Sequence, residues 1–126
     1  EVSMSDATAT PWSPNASGTV NAITFAGSNV WVGGSFTTIG GAPRARLARL
    51  SRSTGLAELA FSADASSTVN TLLLGPADSL FAGGFFTTIG GINRRNLAKL
   101  DRSTGTVDPA FLTTLDVSSS SINTLV

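Results

Sequence analysis

The chain has 126 residues, with Lys+Arg 8 balanced by Asp+Glu 8, and it contains no Cys, no His and no Tyr. Those zeros exclude a Ser-His-Asp or Cys-His nucleophile, a His/Cys zinc site and any disulfide within the chain. Neutral balance removes the electrostatic ground for nucleic acid or an anionic membrane as partner, while 17 Ser, 16 Thr and 13 Gly with only 13% charged residues read as an all-β chain rich in turns.

The N-terminal Glu1-Val2-Ser3-Met4-Ser5-Asp6 lacks the basic and apolar regions of a signal peptide, so either none is needed or it has been removed. The longest aliphatic stretch is Leu72-Leu73-Leu74, far short of the roughly 18 residues that cross a bilayer, and no membrane insertion is expected. Residues 1–19 read as the end of one unit and its connector. The next unit spans 20–61 and repeats as 69–111. Residues 33–61 match 83–111 at 18 of 29 positions with a constant offset of 50, and Val20-Asn21-Ala22-Ile23 matches Val69-Asn70-Thr71-Leu72 at offset 49. The one-residue slip falls where Ala26-Gly27-Ser28-Asn29 faces Gly75-Pro76-Ala77-Asp78-Ser79, a length change that a surface hairpin turn tolerates. Residues 122–126 restart the pattern a third time, and Trp12, Phe61 and Phe111 form another threefold series.

In chain order, each unit predicts four short strands. The first is Val20 to Phe25 (Val69 to Leu74) and the second Val30 to Thr37 (Leu80 to Thr87). A Gly40-Gly41 or Gly90-Gly91 loop leads to a third, Arg46 to Ser51 (Asn96 to Asp101). The turn Ser53-Thr54-Gly55, repeated as Ser103-Thr104-Gly105, leads to a fourth strand ending at Phe61 or Phe111. Four strands in roughly 50 residues, with inner strands apolar on both faces, is the spacing of β-propeller blades. The fold expected is two complete four-stranded antiparallel blades plus partial blades at both ends, with the same units stacked as an open solenoid as the competing arrangement. Gly33-Gly34 and Gly83-Gly84 predict a close approach of a neighbouring blade or a bulge.

The pattern V-N-x-[IL], [WF]-x-GG-x-F-TTIGG, LA-[RK]-L, R-S-TG and [ED]-x-A-F resembles the delta-sixty type β-propeller repeats of bacterial secreted and cell-surface proteins, and more loosely kelch-like blades. That resemblance implies an extracellular or cell-surface location, after removal of any signal peptide. It is specific for fold and unspecific for function. A propeller closes with about 4–8 blades, so two blades imply partners: further blades of a larger chain, or copies of this one completing a ring.

Alternating strand direction places the connectors after the second and fourth strands at one end of the blades. Asn21, Asn70 and Asn123 begin the innermost strands at that end, and Arg44 and Arg94 lie in the second-strand connectors. Carboxamides and guanidinium groups in this arrangement can hydrogen-bond a glycan, a peptide or an anion, and they are the candidate binding residues. The competing reading has each Asn bonding local backbone. All basic residues fall in two windows, Arg44 to Arg52 and Arg94 to Arg102. They read as solvated outer strands, with Arg52 and Arg102 paired to Glu58 and Asp108 across the hairpin. Asn15-Ala16-Ser17 is a formal glycosylation acceptor. Neither catalytic nor metal-ligating residues are expected, and no cofactor. The function expected is a non-enzymatic propeller module serving binding or structural assembly. The alternatives are blades of a larger enzyme whose catalytic residues lie outside this chain, and a designed or evolved fragment that assembles into a ring of copies.

Overall fold

The computed structural model describes residues 15–109 and 111. Trp12, Asn123 and the strand expected at 122–126 lie outside them. Among the described residues ten strands follow in order: β1 (Val20–Ala26), β2 (Asn29–Gly34), β3 (Thr38–Ile39), β4 (Ala42–Pro43), β5 (Leu47–Ser51), β6 (Val69–Gly75), β7 (Ser79–Gly84), β8 (Thr88–Ile89), β9 (Ile92–Asn93) and β10 (Leu97–Asp101). The described residues contain no helix long and apolar enough to cross a membrane.

The two units fold alike. In the first, β1-β2-β5 form an antiparallel sheet, and β3 and β4 form a small ribbon beside it; β6, β7 and β10, with the ribbon β8-β9, repeat this. Hairpin β1-β2 closes over Gly27-Ser28, between paired Ala26 and Asn29, whereas β6-β7 closes over the longer Pro76-Ala77-Asp78, between Gly75 and Ser79. The offset slip therefore sits in this hairpin turn. In the ribbon, Ile39 pairs with Ala42 across Gly40 (φ 63) and Gly41 (φ 77), a two-residue turn that requires positive φ at both positions.

Two sequence expectations need correction. The second strand ends at Gly34 rather than Thr37: Ser35 N–H still donates to Thr19 O at 2.8 Å, but on the β5 side the chain breaks step at Arg46 (φ 71), whose N–H donates to Phe36 O. The fourth strand shrinks to a single antiparallel bridge, Leu50 to Ala57 and Leu100 to Val107. Ser51 N–H donates to Leu56 O and Glu58 N–H to Arg49 O, and the chain then turns, with Phe61 N–H reaching back to Glu58 O.

Strand alternation gives each blade two apolar faces. On blade 1, Ile23, Phe25, Val30, Val32, Ala48 and Leu50 share one face, as their pairing shows, and Ala26, Trp31 and Leu47 belong to the other. That second face packs on blade 2, where Trp31, Leu47, Phe61, Val69, Leu80, Ala82 and Leu100 form one buried core with Leu72 and Leu74 against it. Gly33 makes the close packing possible, since a Cβ there would lie 2.6 Å from Val69 Cγ1 and 3.5 Å from Leu72 Cδ1. The close approach expected at the paired glycines is thus realised at Gly33, and the bulge faces the same pair: register shifts between Val20 and Ala22, which oppose Gly34 and Gly33.

Candidate functional site

Asn21 and Asn70 are the extra residues at these bulges, since the ladder skips from Val20 to Ala22 and from Val69 to Thr71. A bulge re-aims the side chain it carries, here at the start of the inner strand in each blade. The two carboxamides meet across the blade boundary, with Asn21 Nδ2 donating to Asn70 Oδ1 and to Val69 O, both at 3.4 Å. These contacts are long, and Asn21 stays exposed. The pair therefore forms a polar step between adjacent inner strands, at which the Asn21 carboxamide faces solvent.

Arg44 and Arg94 do not join that step. Each donates to the carbonyl of the preceding residue at 2.8 Å, Pro43 or Asn93, and reaches 3.4 Å to Leu59 O or Pro109 O in the segment after the bridge. They fasten the ribbon to the end of their own blade. Arg46 donates to Ala65 O at 2.9 Å and Arg49 to Ser103 O at 2.7 Å, both contacts crossing to the segment or blade that follows. Arg52 donates to Gly27 O and Arg102 to Gly75 O, tying the turn after the third strand to the hairpin between the first two. The basic windows are thus committed largely to backbone carbonyls rather than to solvent. Charge-assisted bonds of this kind are among the stronger ones available to a side chain.

The expected ion pairs are displaced by one turn. Glu58 meets Arg49 at 3.7 Å and Asp108 meets Lys99 at 3.4 Å, while Arg102 approaches Asp78 at 4.0 Å. The bridge of Leu50 with Ala57 places residue 58 opposite residue 49, so Arg52 is out of register with Glu58.

Sequence reasoning missed two serines. Ser17 Oγ accepts from Thr37 N–H and Thr38 N–H at 2.9 and 3.0 Å, and Ser66 Oγ accepts from Thr87 N–H and Thr88 N–H at 2.9 and 3.1 Å. Each pins the connector entering a blade to that blade's ribbon. The signal was present, because Ala16-Ser17-Gly18-Thr19-Val20-Asn21 matches Ala65-Ser66-Ser67-Thr68-Val69-Asn70 at five of six positions. Asp64 adds a clasp between blades, its carboxylate accepting from Ala45 N–H at 2.8 Å and its backbone carbonyl from Gly90 N–H at 3.0 Å.

Asp101 has a shifted ionisation. The backbone N–H groups of Ser103 and Thr104 donate to its Oδ1 and hold its carboxyl below the ordinary aspartate value. It organises a turn, where blade 1 uses Ser51. The described residues contain no group of three or more His, Cys, Asp or Glu placed to hold a metal.

Repeated sheets stacked face to face, with a connector carrying each blade into the next, are the geometry of a propeller. Residues 30–53 and 78–111 match the model of a family described as a domain of unknown function (DUF5122) beta-propeller. The chain is built of β-propeller blades. The matched segments run from β2 to just past β5 and from the β6-β7 turn to Phe111. Neither a curated protein nor a solved structure matches the chain.

Proposed function

We propose that this chain is a non-enzymatic propeller module of an extracellular or bacterial cell-surface protein, serving binding or structural assembly. The observation that carries the reading is where its charged groups go. Six arginines donate to backbone carbonyls, four of them within their own blade and Arg46 and Arg49 to the segment or blade that follows, so the repeat commits most of its cations to its own framework. The polar step of Asn21 and Asn70, at which Asn21 faces solvent, offers a surface to a ligand, and a carboxamide there suits the hydroxyl groups of a glycan or the amides of a peptide. The resemblance to delta-sixty type repeats supports the extracellular location.

The test is a glycan and peptide array probed with the chain and with Asn21→Ala/Asn70→Ala. Binding that falls at least tenfold in the double variant, with the thermal unfolding midpoint held, is the expected outcome. An array without hits, together with a double variant altered only in stability, would eliminate the binding role and leave structural assembly.

A further inference from the structure

Residues 33–50 and 83–100 differ at six positions, and five of them lie in the connector that runs through the ribbon from the second strand to the third: Phe85, Ile92, Asn93, Arg95 and Asn96 stand where blade 1 has Ser35, Ala42, Pro43, Ala45 and Arg46. What the connector does for the fold shrinks with these changes. Ser35 Oγ accepts from Thr19 N–H at 3.2 Å and Arg46 donates to Ala65 O at 2.9 Å. A phenylalanine side chain has no acceptor to offer Thr68 N–H, and Asn96 turns back on its own blade, donating to Gly84 O at 2.7 Å. Large exposed side chains take over instead: Phe85 is 55% and Ile92 43% exposed, and Arg95 is exposed as well. The other seven cations each have a carbonyl or carboxylate partner; among the described residues Arg95 has none.

Backbone bonds draw these residues together. Asn96 N–H donates to Phe86 O and Gly84 N–H to Asn96 O, both at 3.0 Å, and Arg94 N–H reaches Thr87 O at 3.1 Å. Phe85 therefore lies across the connector from Arg95, and Ile92 and Asn93 follow along the ribbon. Phe85 N–H also donates to Thr68 O at 2.9 Å, two residues before Asn70, which sets the patch beside the carboxamide step. Stacking does not cover this position: Ser35 is exposed with blade 2 packed after it, and Phe85 is exposed with blade 1 packed before it. Isolated apolar residues on a surface are ordinary. Here two of them and an unpaired guanidinium are concentrated in the connector where the two units diverge, and aromatic side chains and arginine are the types enriched at recognition surfaces.

We propose that this connector of blade 2 binds an acidic peptide segment, with a carboxylate on Arg95 and apolar side chains against Phe85 and Ile92. The inference rests on the binding part of the proposed function and names its partner class. Ile92 favours a peptide over a glycan. A sugar ring can stack its C–H face on Phe85, but a branched aliphatic side chain offers it nothing comparable, whereas it suits an apolar side chain of a peptide. Arg95 sets the charge, since a guanidinium takes a carboxylate through two parallel N–H···O bonds. The carboxamide of Asn93, exposed beside Ile92, supplies a donor and an acceptor for main-chain amides.

Fluorescence anisotropy of the whole chain with pools of short, end-capped peptides tests this. The pools are acidic with apolar residues, the same with Asp and Glu replaced by Asn and Gln, basic with apolar residues, and acidic without apolar residues. The first pool is expected to bind, and the others to bind about tenfold more weakly or worse. Phe85→Ser and Arg95→Ala install the residues that blade 1 carries at 35 and 45, so both are expected to stay folded by circular dichroism, and Phe85→Ala or Arg95→Gln replaces either that does not. Each is expected to weaken binding about tenfold, and Arg95→Ala to abolish the preference for the acidic pool over its amide counterpart. Equal binding of those two pools, or a Phe85 or Arg95 variant that binds like the parent chain, overturns the proposal. Glycan hits that are lost in Asn21→Ala/Asn70→Ala but unchanged in Phe85→Ser overturn this inference alone and leave the proposed binding role standing, whereas binding to no pool and no array overturns both.

Discussion

Replacing Trp31 with alanine is expected to cost about 3–5 kcal/mol of stability, the range for removing a fully buried large aromatic side chain. Trp31 is 2% exposed and sits in the core shared by the two blades, so truncation opens a cavity at the seam rather than at an edge. Its indole N–H also satisfies the Arg102 carbonyl at 2.8 Å. Trp31→Phe, which installs the residue blade 2 carries at position 81, keeps much of the packing and deletes that bond, and about 1 kcal/mol plus a smaller packing loss is expected. Urea unfolding of the two variants measures both. An alanine variant within about 1 kcal/mol of the parent would mean that the seam contributes little to stability.

Gly84→Ala is the second large effect. A Cβ at Gly84 would lie 2.2 Å from Thr68 O and 2.9 Å from Val69 Cα, and at Gly34 it would lie 2.0 Å from Thr19 O. These neighbours are backbone atoms of the bulge that carries Asn70 or Asn21, so no rotamer change relieves the clash. The cost expected is about 3 kcal/mol, at the upper end for overpacking, and loss of the bulge would also move the asparagine. Thermal unfolding gives the magnitude. A midpoint unchanged within a few degrees would show that the two inner strands are not held as closely as described.

Strand positions were largely legible because the repeat supplies each pattern twice: Val20–Ala26 and Leu47–Ser51 fall within one residue of their expected bounds. The fourth strand was overextended, since the apolar pattern up to Phe61 does not reveal the tight turn that returns Phe61 N–H to Glu58 O. The ion pairs were misassigned for the same reason. Charge spacing along the chain cannot give the register, and only the Leu50 to Ala57 bridge sets residue 49 opposite residue 58. Asparagines at the starts of the inner strands could be named from the repeat, but that they sit at bulges depends on a cross-strand count visible only in the paired sheet. The arginines were the least legible. Their acceptors are main-chain carbonyls, which every residue has, so no sequence feature distinguishes Ala65 O or Ser103 O from its neighbours.

The central claim is that the two repeats are adjacent blades with β1 and β6 side by side at their bulges. The chain has no cysteine of its own, so thiols introduced as Asn21→Cys/Asn70→Cys report on that contact without interference. A short bifunctional maleimide is expected to bridge them within a single chain in high yield. The control Asn21→Cys/Ser103→Cys, whose positions lie at opposite ends of the strands, is expected not to cross-link internally. Cross-links only between chains, or equal yields in the two variants, would contradict the stacked-blade arrangement.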